Sequence, residues 1–185
     1  MDLLDRMLGH DRWAATQLLD TSRDLTHDQL DQEFDIGHRT LRTTFDHMIT
    51  VIDFWTTQMD GESVTGHDED NQPSVEEIIE IHKRFQASLR ERRRSIDELR
   101  ECHERYRAAF AAVARRIHDE QRLDDVFLDH FAYPQTLGGT IVQVIHHNAQ
   151  HRSEVRHILE RLGVSGLPDL DPQEWEHAAK LVQPV

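Results

Sequence analysis

The sequence predicts an all-α protein, a bundle of four long helices closed by a short C-terminal helix. Three observations lead there. Apolar residues recur at three- and four-residue steps along most of the chain. Glycine and proline number only 8 and 5 in 185 residues, so little interrupts those patterns. Alternating apolar runs that would mark strands are missing. This length suffices for one well-buried core, and a single domain over residues 1–185 is expected.

Leu4, Met7, Leu8, Asp11, Ala14, Ala15, Leu18 and Leu19 share one face, which predicts a first helix over about residues 2–22 with Trp13 packing beside the stripe. Asp24 to Leu30 reads as a connection carrying a short helical turn capped by Thr26. A second helix follows Gly37, with Leu41, Phe45, Met48, Ile52, Trp55 and Met59 as its stripe and Gly61 as its stop. Residues 61–73 are polar and hold both Gly and Pro, the composition of a mobile connection or lid.

Ser74 and Glu77 form a capping box, and the helical pattern they open runs without Gly or Pro to about Asp119. Ile78, Phe85, Leu89, Ile96, Leu99, Tyr106, Phe110, Val113 and Ile117 hold nearly heptad phase, with His82, Arg92 and His103 in the gaps. Two readings stand. One helix would reach roughly 65 Å at about 1.5 Å per residue, and its projecting half would need another surface, which argues for a dimer. Alternatively, a second capping box at Ser95 and Glu98 breaks the segment near Arg92–Ser95. Leu123 to Thr136 is an irregular aromatic stretch expected to cover one bundle end. Ile141, Val144, Ile145, Val155, Ile158, Leu159 and Leu162 then predict the last long helix, with Gly138-Gly139 before it and Gly163 after it. A Gly/Pro linker leads to a short helix at Pro172–Glu176.

A net charge of −14, spread along the chain, repels phosphate backbones and anionic lipid, which argues against nucleic-acid and membrane partners. The basic run Arg90 to Arg94 is the local exception and reads as a solvated helix face. One cysteine, Cys102, permits no internal disulfide. The charged opening residues are unlike a signal peptide and no apolar run approaches membrane-spanning length, so a cytoplasmic protein is expected.

Histidine is the outlier, with 14 copies. His10, His27, His38, His67, His118, His130, His157 and His177 lie among charged or loop residues and call for no special role. His147 and His151 differ, because residues four apart on a helix share a face and can chelate one ion. Heptad interpolation puts Asn148 and His151 on the buried seam with His147 beside it. His47, next to Met48 on the edge of the second helix's apolar face, is the candidate third ligand. The rival reading makes all three buried, hydrogen-bonded histidines.

His147-Asn148-Ala149-Gln150-His151-Arg152 resembles the H-x-x-x-H-R segment of the DinB-like four-helix metalloprotein family, and Thr43-Thr44-Phe45-Asp46-His47 with Trp55 resembles its first-histidine helix. Arg12-Trp13-Ala14-Ala15 followed by Leu25 to Asp31 is similar to its opening, so the likeness covers nearly the whole chain. The resemblance implies an up-up-down-down bundle with a long crossover, often dimeric, in which His47, His147 and His151 bind a divalent metal. Ser153 and Glu154 depart from the family's common Gly and Gln, and the 74–119 segment looks longer than usual.

Three imidazoles leave coordination positions open for water or substrate, the pattern of a catalytic site. Zinc is the default, with nickel, iron and manganese also suited to imidazole. Such an ion lowers the pKa of a bound water or thiol. The resemblance favours a low-molecular-weight thiol transferred to an electrophilic small molecule. The alternative is a non-enzymatic metal-binding or stress-related bundle, and the sequence leaves the choice open. Glu154, three residues after His151, reads as general base, fourth ligand or hydrogen-bond acceptor for a histidine, or equally as a surface carboxylate paired with Arg161 or His157. Arg152 orients an anionic substrate or forms a salt bridge within the bundle, and Gln143 lines the cavity or merely packs. No Gly-x-Ser-x-Gly sequence supports a hydrolase.

Overall fold

The structure, a computed structural model, describes residues 1–61 and 72–182. The proposed lid at 61–73 therefore lies almost wholly outside the described residues. The elements are α1 (Leu3–Thr21), α2 (His27–Asp31), α3 (Leu41–Met59), α4 (Val75–Arg92), α5 (Ile96–Asp119), β1 (Val126–Leu128), β2 (Pro134–Thr136), α6 (Leu137–Arg161) and α7 (Pro172–Ala178). Local chemistry fixes most boundaries. Asp2, Thr26, Ser74 and Ser95 each close a capping box with the residue three positions on, and Thr40 and Thr136 cap α3 and α6 with their hydroxyls.

The fold is all-α, with α1, α3, α5 and α6 as the bundle and α7 as the short closing helix. Segment 74–119 is broken. Arg93 takes a left-handed conformation at φ 43°, and Ser95 starts α5 in a new direction. The projecting half, and the argument for a dimer that rested on it, fall away. Instead α4 runs back along α3, from Gln72 at the Ala132 carbonyl to Arg93 at Asp31.

Ion pairs fix the helix directions. Asp2 with Arg115 and Asp20 with Arg100 set α1 antiparallel to α5, whereas Asp46 with Arg94 and Asp60 with Arg116 set α3 parallel to α5. The start of α6 packs in the cluster with Leu8 and its end in the cluster with Leu18, so α6 runs with α1 and the long helices run up, down, down, up in place of up-up-down-down. The reason is reach. The α1–α3 connection stays at one end, while α4, 18 residues or about 27 Å, returns the chain along the bundle.

Two further expectations change. Leu123–Thr136 contains a hairpin, with Val126 opposite Thr136, Phe127 opposite Gln135 and Leu128 opposite Pro134. Strands of three residues are too short to display alternation in sequence. Gly138 and Gly139 lie inside the first turn of α6, where a side chain on Gly138 would meet the Leu123 carbonyl oxygen at 2.9 Å.

The core is divided. One apolar cluster joins Leu18, Leu41, Phe45, Leu99 and Ile158, the other Ile52, Phe110, Ile117, Ile141 and Val144. Between them in sequence, each of α1, α5 and α6 contributes buried polar residues: Asp11, then His103 and Arg107, then Asn148 and Arg152. Asp11 pairs with both Arg107 and Arg152. Of the readings for Arg152, the salt bridge within the bundle is the one formed.

His103 is fully buried, and neither ring nitrogen has a hydrogen-bond partner. Burial, the main cause, pushes its pKa down to about 4, with Arg12, Arg152 and Arg100 adding to the effect and Glu104 opposing it. Below about pH 6.5 the unfolded chain protonates this imidazole and the folded chain does not. Stability is thus fully present above pH 6.5 and is lost as pH falls towards 4, by about 3 kcal/mol from this residue. Urea titrations at pH 7.5 and 4.5 should show that loss in wild type and much less of it in His103→Leu.

Candidate metal centre

Four histidines converge between α3 and α6 under α4. His47 lies in the second turn of α3, His147 and His151 on successive turns of α6, and His38 in the loop before α3. Nε2 of His147 lies 3.0 Å from Nε2 of His47 and 3.0 Å from Nε2 of His151. Ligand atoms of His38, His47 and His151 also lie within 4.8 Å of one another. Three histidines are thus positioned to hold a metal ion.

Hydrogen bonding does not account for this geometry. Nδ1 of His151 is 2.6 Å from Oε2 of Glu154, where the carboxylate accepts, and in the neutral ring Nε2 then carries a lone pair. Nε2 of His147 has either one proton or one lone pair, and it faces two ring nitrogens at equal distance. It can satisfy one as donor; with the other it then needs a lone pair it no longer has. A cation between the three lone pairs removes the conflict. Metal–nitrogen bonds of about 2.0–2.1 Å separate neighbouring donors by roughly 3.0–3.4 Å in octahedral or tetrahedral shells, so the observed spacing fits.

The electrostatics agree. Burial, followed by the fields of His38, His151 and His147, pushes the pKa of His47 down to about 2. Burial and then His151 push His147 down to about 4, and burial lowers His38. These imidazoles are neutral at pH 7, the form that binds metal.

Sequence reasoning set His38 aside, and the structure corrects that. Its ring stacks on His47 at 3.8 Å between centroids and lies 5.0 Å from His151. Nδ1 is 2.9 Å from Oε1 of Gln86, which leaves Nε2 for a ligand. Periodicity cannot place a loop residue. The one available signal was Gly37-His38 just ahead of the Thr40 cap of the His47 helix.

Glu154 has found a partner other than Arg161 or His157, which pair with Asp35 and Glu160. Gly37 explains its placement. At φ +48° it sits so close that a Cβ would lie 2.2 Å from Oε2 of Glu154. Gly37→Ala should therefore displace both the carboxylate and adjacent His38, and zinc affinity in a competitive chelator titration should drop about 10–100-fold, as for loss of a partner behind a metal ligand. Gln143 is exposed, and Val142 beside it is 55% exposed, so that face of α6 looks outward.

A family model described as the DinB family matches residues 1–178, nearly the whole chain. The chain belongs to the DinB family. No curated protein and no solved structure gives a significant match. Among the described residues, no helix is long and apolar enough to cross a membrane.

α4 roofs this DinB centre. Phe85 sets its ring edge-on to His47 at 5.8 Å, Gln86 holds His38, and His82 meets Phe131. Leu89 is the only buried residue of α4, so the roof is lightly anchored.

Proposed function

We propose that this DinB protein is a metal-dependent transferase in which His47, His147 and His151 hold a divalent ion and His38 stands as an additional donor. The 3.0 Å approach of His147 Nε2 to the Nε2 atoms of both His47 and His151 carries the reading. Zinc is the first choice, with nickel, iron and manganese as alternatives, because the donors are all imidazole. Bound there, the ion supplies Lewis acidity that lowers the pKa of a coordinated thiol.

The chain's own residues perform the remaining tasks. Glu154 accepts the Nδ1 proton of His151 and fixes the tautomer that presents Nε2. This hydrogen bond supports a positioning role for Glu154 over that of fourth ligand. Gln86 does the same for His38, and Phe85 with the α4 roof limits water beside His47. An open coordination position next to an apolar wall suits a low-molecular-weight thiol and an electrophilic small molecule. The non-enzymatic metal-binding reading shares the ligands and lacks the thiol.

Cobalt substitution separates the two. Adding a low-molecular-weight thiol such as cysteine to the Co(II) protein should produce a sulfur-to-cobalt charge-transfer band that saturates at one equivalent per chain. Tight cobalt binding with no such band, for any thiol tried, would leave the metal site standing and remove the transferase. Glu154→Gln should bind cobalt about tenfold more weakly and retain the band.

A further inference from the structure

A groove of about 250 Å³ lies between the loop before α3, the first turn of α3 and the last turn of α4. Its walls carry Arg39, Arg42, Arg90 and Arg93 against Asp31 and Glu33. Four guanidinium groups face two carboxylates, a local excess of two positive charges in a chain whose net charge is −14. Repulsion by the rest of the surface would exclude anions from most of this molecule and admit them here.

The arginines differ in what they do. Arg42 is 3% exposed and fully committed, donating to Asp31, to the Arg94 carbonyl oxygen and towards His27. Arg39 pairs with Glu33, and Arg93 shares Asp31 with Arg42. Arg92 and Arg94 turn away, to Thr50 and Asp46. Arg90 makes no ion pair among the described residues, yet its charge acts on both Glu33 and His38. Cations at the end of α4 also complement its helix dipole. That accounts for Arg90, Arg92 and the C-cap Arg93, and leaves unexplained why Arg39 reaches the same groove from the loop before α3.

None of the four histidines lines the groove, and two chain neighbours tie it to the candidate metal centre. Arg39 follows His38 in the chain, and Arg90 lies one helical turn beyond Gln86, the partner of His38. We propose that this groove is an oxyanion site that holds a carboxylate or phosphate arm of the small molecule whose reacting atom is presented to the histidine cluster, with Arg90 and Arg93 as the binding residues. Its planar, fork-shaped donors suit such an arm, since guanidinium engages carboxylate and phosphate through paired hydrogen bonds. The role of the arm in catalysis rests on the metal reading above; the anion site itself does not.

Inorganic phosphate and succinate, titrated calorimetrically into the full-length protein at fixed ionic strength, distinguish the two kinds of arm. Saturable binding of at least one is expected, about tenfold or more weaker in Arg90→Gln/Arg93→Gln and unchanged in Arg92→Gln. All three side chains are exposed, so these variants fold. The binding should persist in His47→Ala, which keeps this outcome separate from the fate of the metal reading. Phosphate alone binding assigns a phosphorylated arm, succinate alone a carboxylate. Absence of saturable heat for both anions, or equal affinity in the double variant, overturns the proposal.

Discussion

Replacing His147 or His151 by alanine will strip the chain of its metal. Wild type should carry close to one divalent ion per chain by elemental mass spectrometry after dialysis, and both variants should fall to background. The loss should exceed the 10–100-fold expected, on the order of magnitude, for an outer partner such as Glu154, because each removes one of the converging Nε2 atoms. His47→Ala should behave the same way. His38→Ala should lose less, since its ring is stacked on His47 and does not share the 3.0 Å contacts. The folded state is also coupled to the ion: at a free concentration of about 1,000 times Kd, metal adds roughly 4 kcal/mol of stability. Wild type that stays metal-free after reconstitution with zinc, nickel and iron would end the metalloprotein reading and return the cluster to a set of buried histidines.

How much of this was legible in the sequence depended on whether a residue sat on a periodic element. Asp11, His103, Asn148 and His151 interrupt apolar stripes, and all four lie at the level where the core is split. The capping boxes were readable because their chemistry is local, and Ser95 with Glu98 marked the break that heptad phase alone concealed. His38 was not legible, since its neighbours are set by the return of α4 and by the close approach of Glu154 to Gly37. The directions of α3 and α6 were missed for a related reason. Stripe patterns are the same for a helix read up or down, and direction is decided by cross-bundle pairs such as Asp46 with Arg94 and Asp2 with Arg115.

The largest effect on stability should come from Asp11→Ala. Asp11 is fully buried and is the carboxylate shared by Arg107 and Arg152, which are 3% and 6% exposed. Burial, reinforced by Arg152, lowers the pKa of Arg107 to about 9, and burial lowers that of Arg152 to about 10. Both still carry charge at pH 7. Removing their common counter-ion leaves two desolvated cations facing each other, a change that costs about 3–5 kcal/mol when one partner of a buried pair is deleted. For a domain whose whole stability is on the order of 5–15 kcal/mol, that approaches unfolding. Asp11→Asn keeps the shape and one acceptor, and should lose less. The decisive comparison is the triple variant Asp11→Leu/Arg107→Met/Arg152→Met, in which no charge is left to desolvate. It should recover most of the stability lost by Asp11→Ala in chemical denaturation, with its histidine ligands intact. If the triple variant proved no more stable than the single one, the cost would lie in packing at this level of the bundle and the electrostatic account would fail.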